Sequence, residues 1–363
     1  MNRKKKILYI VSNLRRTGPV NQLSYIISHL DLDKYECRVL TLSPEPMDSK
    51  FESYVSQGII VDTLSLTRVQ SVLFGSSKLS QYVNNYSPDI IQTQGVRADS
   101  LGCALKNKIP WVTTSRNFPI EDYPSKFGKI KGTLMAKKHI KVLAQCKYLV
   151  SCSNAIASKL KTVGITSTVI SNGVPPSRFP IIENMDTTTI KLITVGSLIP
   201  RKNMEYLVRL SNKLDELNLE HEFLVLGDGP LLSELKMLSN GRMKFIGNVN
   251  NVGEHLSRSN IFLSSSLSEG LPNTVLEAIS FGVPVFLSNI PPHREIADKL
   301  PKNSSFIFSL STPPETLALE FIDNVNRICS VDRSELVDAA NDKFGAKAMS
   351  EKYQKIYEIS ENE

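Results

Sequence analysis

Residues Ser268 to Pro284 read S-E-G-L-P-N-T-V-L-E-A-I-S-F-G-V-P, and this stretch decides the fold. Glu269 and Glu277 stand in an E-x7-E arrangement with Gly270, Leu271 and Pro272 after the first glutamate. Proline suits the start of a helix, where its missing N–H has no intrahelical partner. Gly282 and Pro284 are stop signals at the far end. Ile261-Phe262-Leu263 just upstream reads as a short buried strand. The segment is therefore strand, tight loop, short helix. Free N–H groups at such a helix start favour an anion. Glu269 would sit in the loop beside that anion, with Glu277 further along the helix.

Working outward, 363 residues are enough for two domains. With 41% hydrophobic and 22% charged residues, the composition is that of an ordinary globular protein. Cys37, Cys103, Cys146, Cys152 and Cys329 form no C-x-x-C, which argues for reduced thiols and against a disulfide framework or zinc site. The basic run Arg3 to Lys6 imitates the start of a secretion signal. The apolar run Ile7–Val11 behind it is too short for one, and has the length of a buried parallel strand. No apolar run is long enough to span a bilayer. The expectation is a cytoplasmic protein, neither secreted nor transmembrane.

Strand and helix signals then alternate along the whole chain. Strands are expected at Ile7–Val11, Cys37–Leu42, Ile59–Leu64, Asp89–Gln94, Trp111–Ser115, Tyr148–Cys152 and Val169–Val174. A polar, proline-bearing stretch over 175–189 reads as a linker. A second series follows at Lys191–Val195, Glu222–Leu226, Met243–Ile246, Ile261–Leu263, Val283–Leu287 and Ser305–Phe308. Such alternation implies parallel sheets with helices on both faces, so ligands sit at the strand carboxyl ends. The expected division is 1–174, 175–345 and a C-terminal helix within 346–363.

The formal charge of +7 is concentrated. Lys126, Lys129, Lys131, Lys137, Lys138, Lys141 and Lys147 occur between Ser125 and Lys147 with no acid. Plotted as a helix, Met135, Val142, Leu143 and Cys146 share one face, with Lys137, Lys138 and Lys141 opposite, interleaved with Leu134 and Ile140. Two readings stand side by side: a surface helix with solvated lysines, or a helix lying on an anionic membrane surface. No helix-turn-helix, zinc-finger or RNA-binding pattern is present, so no nucleic-acid partner is expected.

Five features occur in order in the second half: the G-x-x-x-x-R-K loop beginning at Gly196, Gly227-Asp228-Gly229-Pro230, the F-x-G strand end at Gly247, the E-x7-E block, and its G-V-P-V close. In this combination the chain resembles the retaining glycosyltransferases of family 4 (glycosyltransferase group 1). The resemblance implies the α/β GT-B fold, with two Rossmann-like doubly wound domains facing across a cleft and a last helix crossing back to the first domain. It also implies a function: sugar transfer from a nucleotide-sugar donor, most simply a UDP-sugar, to a lipid-linked or saccharide acceptor in bacterial surface polysaccharide assembly.

The resemblance also carries residue roles. Arg201 and Lys202 would hold the donor diphosphate, where positive charge stabilises the leaving group. Glu269 would orient the transferred sugar. Gly18, Ser197, Gly270, Leu271, Asn273 and Thr274 would line the phosphate and sugar, and Glu277 would bind the ribose. Gly247, Asn248 and Val249 would lie by the base. Arg15, Arg97, Arg116 and Asn117 are the acceptor-side candidates in the first half. Neither metal nor other cofactor is expected: the histidines form no ligand-spaced pair, and Asp31-Leu32-Asp33 reads as a helix-end cap. Two departures qualify these roles. Ser197 stands where many members have arginine after the loop glycine, and the first-half loops carry Gln92, Gln94, Arg116 and Asn117 rather than histidine. Alternatives are a GT-B nucleotide-sugar epimerase, which needs no acceptor, and a non-catalytic nucleotide-sugar or glycan-binding module. His293, after Pro291-Pro292, reads as structural.

Overall fold

The structure is a computed structural model that describes residues 3–182, 188–239, 241 and 243–361. The chain forms two compact units, Met1–Gly173 together with Ala346–Glu363, and Val174–Gly345. The linker expected over 175–189 lies partly outside the described residues, at 183–187.

The first unit is built on β1 (Lys5–Val11), β2 (Tyr35–Thr41), β3 (Ile60–Thr63), β4 (Ile90–Gln94), β5 (Trp111–Ser115), β6 (Tyr148–Ser151) and β7 (Thr168–Val169). They pair in parallel in the order β3-β2-β1-β4-β5-β6-β7. The chain steps outward from β1 to β3, returns to β4, then steps to the other edge. Because parallel crossovers are right-handed, this reversal puts the helices on opposite faces of the sheet. One face carries helix Gly18–Ile27 and the C-terminal helix Ala346–Glu361, in contact through Ser350 Oγ, which donates to the carbonyl of Ile26 at 2.7 Å. Tyr353 and Tyr357 of that last helix are completely buried. The Tyr357 and Tyr9 hydroxyls lie 3.2 Å apart, and Tyr353 meets Thr114 at 2.9 Å. The final helix is thus part of the first unit's core.

The second unit holds β8 (Ile190–Val195), β9 (His221–Leu226), β10 (Met243–Gly247), β11 (Ile261–Ser264), β12 (Val285–Ser288) and β13 (Ser305–Phe308), all parallel, in the order β10-β9-β8-β11-β12-β13. Every residue of β11 and β12 is buried, as befits strands covered on both faces. The architecture is therefore α/β with two Rossmann-like sheets, as expected.

Two local expectations are corrected. Val169–Val174 is not one strand: the ladder with β6 ends at Val169, and Val174 forms an isolated parallel bridge with Gly345. Between the two, Gln22 grips the backbone of Gly173, donating to its carbonyl at 2.7 Å and accepting from its N–H at 2.8 Å. The lysine segment is two helices, Pro119–Phe127 and Lys129–Leu143, separated at Gly128 with φ +82°. The buried stripe of the second is Gly132, Ala136, His139 and Leu143, with Met135 and Val142 only half-buried. A Cβ on Gly132 would lie 2.3 Å from the carbonyl oxygen of Tyr123, so only glycine lets the two helices cross. His139 is paired in the interior: Nε2 meets Asp99 Oδ2 at 2.8 Å and Nδ1 meets the Tyr123 hydroxyl at 2.7 Å.

None of the five cysteines is in a disulfide. Among the described residues no helix is long and apolar enough to cross a membrane.

Candidate functional site

In the second sheet the strand order reverses between β8 and β11, the point where open α/β sheets bind ligands beyond the strand carboxyl ends. The loops leaving these two strands carry the charged candidates. After β8 comes Gly196 to Ile199, then a 3-10 turn at Pro200–Lys202. After β11 comes Ser265 to Pro272, then helix Asn273–Ser280.

Backbone contacts lock the two loops together. The Leu267 N–H donates to the carbonyl of Arg201 at 2.9 Å. Ser265 Oγ donates to the carbonyls of Lys202 at 3.2 Å and Asn203 at 2.8 Å. Asn203 sits in the left-handed region at φ +51°, which turns the chain from the 3-10 turn into helix Met204–Glu216.

The G-D-G-P stretch after β9 supports the β8 loop from the other side. A Cβ on Gly227 would lie 2.0 Å from the carbonyl oxygen of Gly196, and one on Gly229 would lie 2.4 Å from that of Leu198. The Leu198 N–H donates to the carbonyl of Asp228 at 2.9 Å. The Gly227 N–H donates to the carbonyl of Gly247 at 2.8 Å, bringing the end of β10, with Asn248 and Val249, to the same edge. Glycine is needed here because three backbones approach more closely than any side chain allows.

On this frame Arg201, Lys202 and Glu269 converge. Arg201 Nη1 lies 2.9 Å from Glu269 Oε2 and 2.6 Å from the carbonyl oxygen of Ser268. Lys202 Nζ lies 2.6 Å from Glu269 Oε1, which also accepts from Ser266 Oγ at 2.8 Å. The Glu269 side chain is only 7% exposed, against 26% for Arg201 and 14% for Lys202. Burial by itself would raise the Glu269 pKa. The charges of Lys202 and Arg201, with hydrogen bonds from Lys202 and Ser266, outweigh it and hold the carboxyl at about 2. Glu269 is thus ionised at every physiological pH, and the cluster carries one net positive charge.

Gly270, Leu271, Asn273, Thr274 and Glu277 follow Glu269 through the loop into the helix; Leu271 is buried, and Asn273, Thr274 and Glu277 are half-buried. Ser197 is exposed on the β8 loop. The far end of the helix is fixed by Arg333, which sequence reading missed. Arg333 Nε donates to the carbonyl of Gly282 at 2.8 Å, and burial lowers the guanidinium pKa to about 10.

The remaining candidates lie in the first unit, with Arg15, Gly18, Arg97, Arg116 and Asn117 just after the carboxyl ends of β1, β4 and β5. Gly18 opens helix Gly18–Ile27. Arg15 pairs with Asp48, Nε to Oδ1 3.2 Å. Arg97 donates to Ser71 Oγ and Ser43 Oγ at 2.6 Å, and to the carbonyls of Leu42 at 3.3 Å and Leu66 at 3.1 Å. It acts as a clamp among three segments, with little donor capacity left for a ligand. Arg116 donates to Gln94 Oε1 at 3.0 Å and Asn172 Oδ1 at 2.5 Å, while its Nη2 has no partner among the described residues. Asn117 donates to Asp122. Lys137, Lys138 and Lys141 are exposed on helix Lys129–Leu143. Asp31 accepts from the Asp33 N–H at 3.0 Å, a local turn. Among the described residues no cluster of three or more His, Cys, Asp or Glu side chains is placed to share a metal ion.

Comparison with known proteins adds to this geometry. A family profile described as Glycosyltransferase Family 4 matches residues 17–178, and one described as Glycosyl transferases group 1 matches residues 189–330. The chain is 23% identical to the O-antigen biosynthesis glycosyltransferase WclY of Escherichia coli, over 97% of this chain and 98% of that protein. It is 33% identical to the UDP-Gal:alpha-D-GlcNAc-diphosphoundecaprenol alpha-1,3-galactosyltransferase of Escherichia coli, over 34% of this chain and 36% of that one. Among solved structures, HepE of Anabaena in complex with UDP superposes with a TM-score of 0.77 at 15% identity, covering 98% of this chain and all of that one.

Proposed function

Because the chain belongs to the family 4 (group 1) glycosyltransferases, we propose that it moves a sugar from a UDP-sugar to a lipid-linked or saccharide acceptor in bacterial surface polysaccharide assembly. The observation that carries this reading is the Arg201–Lys202–Glu269 cluster at the switch point of the second sheet. Two cations held beside one ionised carboxylate suit a diphosphate leaving group next to a hydroxylated ring. The UDP bound to HepE and the lipid-diphosphate acceptor in the galactosyltransferase's name support the donor and acceptor classes.

In the proposed reaction, Arg201 and Lys202 turn to the diphosphate and stabilise charge as the bond from the anomeric carbon to the phosphate oxygen breaks. Glu269 orients the sugar, Glu277 holds the ribose, and the Gly247–Val249 strand end meets the base. The acceptor hydroxyl attacks the face that the diphosphate leaves. A phosphate oxygen takes its proton, and attack on that same face retains the configuration. The chemistry uses no metal. Arg116 and Asn117 serve the acceptor side, and the lysine helix rests on an anionic membrane at its cytoplasmic face.

The experiment is transfer of labelled sugar from a panel of UDP-sugars to lipid-linked and free saccharide acceptors, with and without EDTA. Acceptor-dependent transfer that persists in EDTA, with an α-linked product from an α-linked donor, is expected. Sugar isomerisation without acceptor would support an epimerase instead. Nucleotide-sugar binding with no turnover on any acceptor would support a binding module.

A further inference from the structure

His293 is completely buried just after β12, in helix Pro291–Ala297. Its Nδ1 lies 2.8 Å from the carbonyl oxygen of Ser288. A carbonyl can only accept, so Nδ1 carries the proton and Nε2 is a bare lone pair. That nitrogen is closed to solvent and has no hydrogen-bond partner among the described residues. An enclosed, unpaired acceptor is costly, and a purely structural histidine would ordinarily pair it.

The ring is also tied to the site. Ser288 Oγ donates to the carbonyl of Ser266 at 2.7 Å, and Ser266 Oγ donates to Glu269 Oε1 at 2.8 Å. The charges of both Glu269 and Lys202 reach the imidazole. Burial is the dominant influence and lowers its pKa to about 4, against the opposing effects of the Ser288 carbonyl and Glu269. The ring is therefore neutral near pH 7 and Nε2 remains an acceptor.

We propose that His293 is a further sugar-contacting residue, whose Nε2 accepts a hydrogen bond from a hydroxyl of the transferred sugar. Glu269 and His293 then present an anionic and a neutral acceptor, held in fixed relation by Ser266 and Ser288, to two hydroxyls of one ring. Nε2 is closed to solvent in this structure, so sugar binding has to open the enclosure around it. The inference rests on the nucleotide-sugar reading above.

The test separates the two ring nitrogens. His293→Asn keeps a donor near the Nδ1 position and removes the Nε2 acceptor. His293→Gln keeps a polar group near the Nε2 position and gives up the Ser288 anchor. Calorimetry on the full chain measures UDP, and whichever of UDP-glucose, UDP-galactose and UDP-N-acetylglucosamine binds wild type most tightly. In His293→Asn the UDP Kd is expected to stay within about twofold of wild type, while the UDP-sugar Kd rises about tenfold, the scale of one hydrogen bond. His293→Gln should recover part of that loss, and it carries the test if the asparagine variant does not fold. Unchanged UDP-sugar affinity in His293→Asn overturns the inference. So does a parallel loss for UDP and UDP-sugar, which marks a structural role. A wild-type chain that binds none of these ligands overturns the nucleotide-sugar reading itself, and the inference with it.

Discussion

Lys202 Nζ and Glu269 Oε1 lie 2.6 Å apart although 67 residues separate them in the chain. They meet because β8 and β11 are neighbours at the one place where the second sheet reverses its strand order. The doubly wound topology thus creates the charge cluster, and the loops only have to point the side chains.

Removing the anion should therefore cost stability, with a defined pH dependence. The folded pKa of Glu269, about 2, lies below its ordinary value of 4.5. A depressed carboxyl pKa stabilises the fold fully above pH 4.5, progressively less as pH falls towards 2, and not at all below that. Glu269→Gln is expected to lose about 3 kcal/mol of unfolding free energy at pH 7. The gap from wild type should narrow by pH 3. Urea unfolding at the two pH values checks this; a gap independent of pH would contradict it.

The glycine lattice behind the site makes a second prediction. Gly227 has φ +135°, and a Cβ there would meet the Gly196 carbonyl oxygen at 2.0 Å. Gly227→Ala should destabilise the fold by about 2 kcal/mol or more and displace the β8 loop. Nucleotide affinity should then fall although Gly227 offers the ligand no side chain. An alanine variant with wild-type melting and wild-type affinity would count against this.

Much of this was legible in the sequence, for identifiable reasons. Buried parallel strand segments such as Ile7–Val11, Ile261–Leu263 and Val285–Leu287 are continuous apolar runs, so both sheets could be read from pattern. The loops carrying Arg201, Lys202 and Glu269 could be read because motif order and strand context agreed. The buried face of helix Lys129–Leu143 could not, because counting large apolar residues points to Met135 and Val142. The actual contact face is set by Gly132, whose lack of a side chain admits Tyr123, and by His139, whose polarity is satisfied only in three dimensions. Arg97 misled in the same way: its guanidinium is met by oxygens from three segments distant in sequence.

The exposed side of the same helix supports a third prediction. Ile130 is 80% and Leu134 65% exposed, among lysines. The protein should bind vesicles containing anionic lipid, more weakly at high salt, and more weakly again when Lys137, Lys138 and Lys141 are changed to glutamate. Co-sedimentation measures this. Binding insensitive to salt, or unaffected by the triple change, would contradict a basic membrane-facing helix.

The most direct test of the central claim is thermal unfolding of the full chain with UDP, GDP, ADP and CMP, each in large excess. A ligand at about a hundred times its Kd adds about 2.7 kcal/mol to the state that binds it. At roughly 2–4 °C per kcal/mol, the transition should rise by several degrees. The account predicts such a rise with UDP alone, and a much smaller one in Glu277→Ala, which removes the proposed ribose contact. No rise with any of the four nucleotides, or an equal rise with UDP in Glu277→Ala, would contradict it.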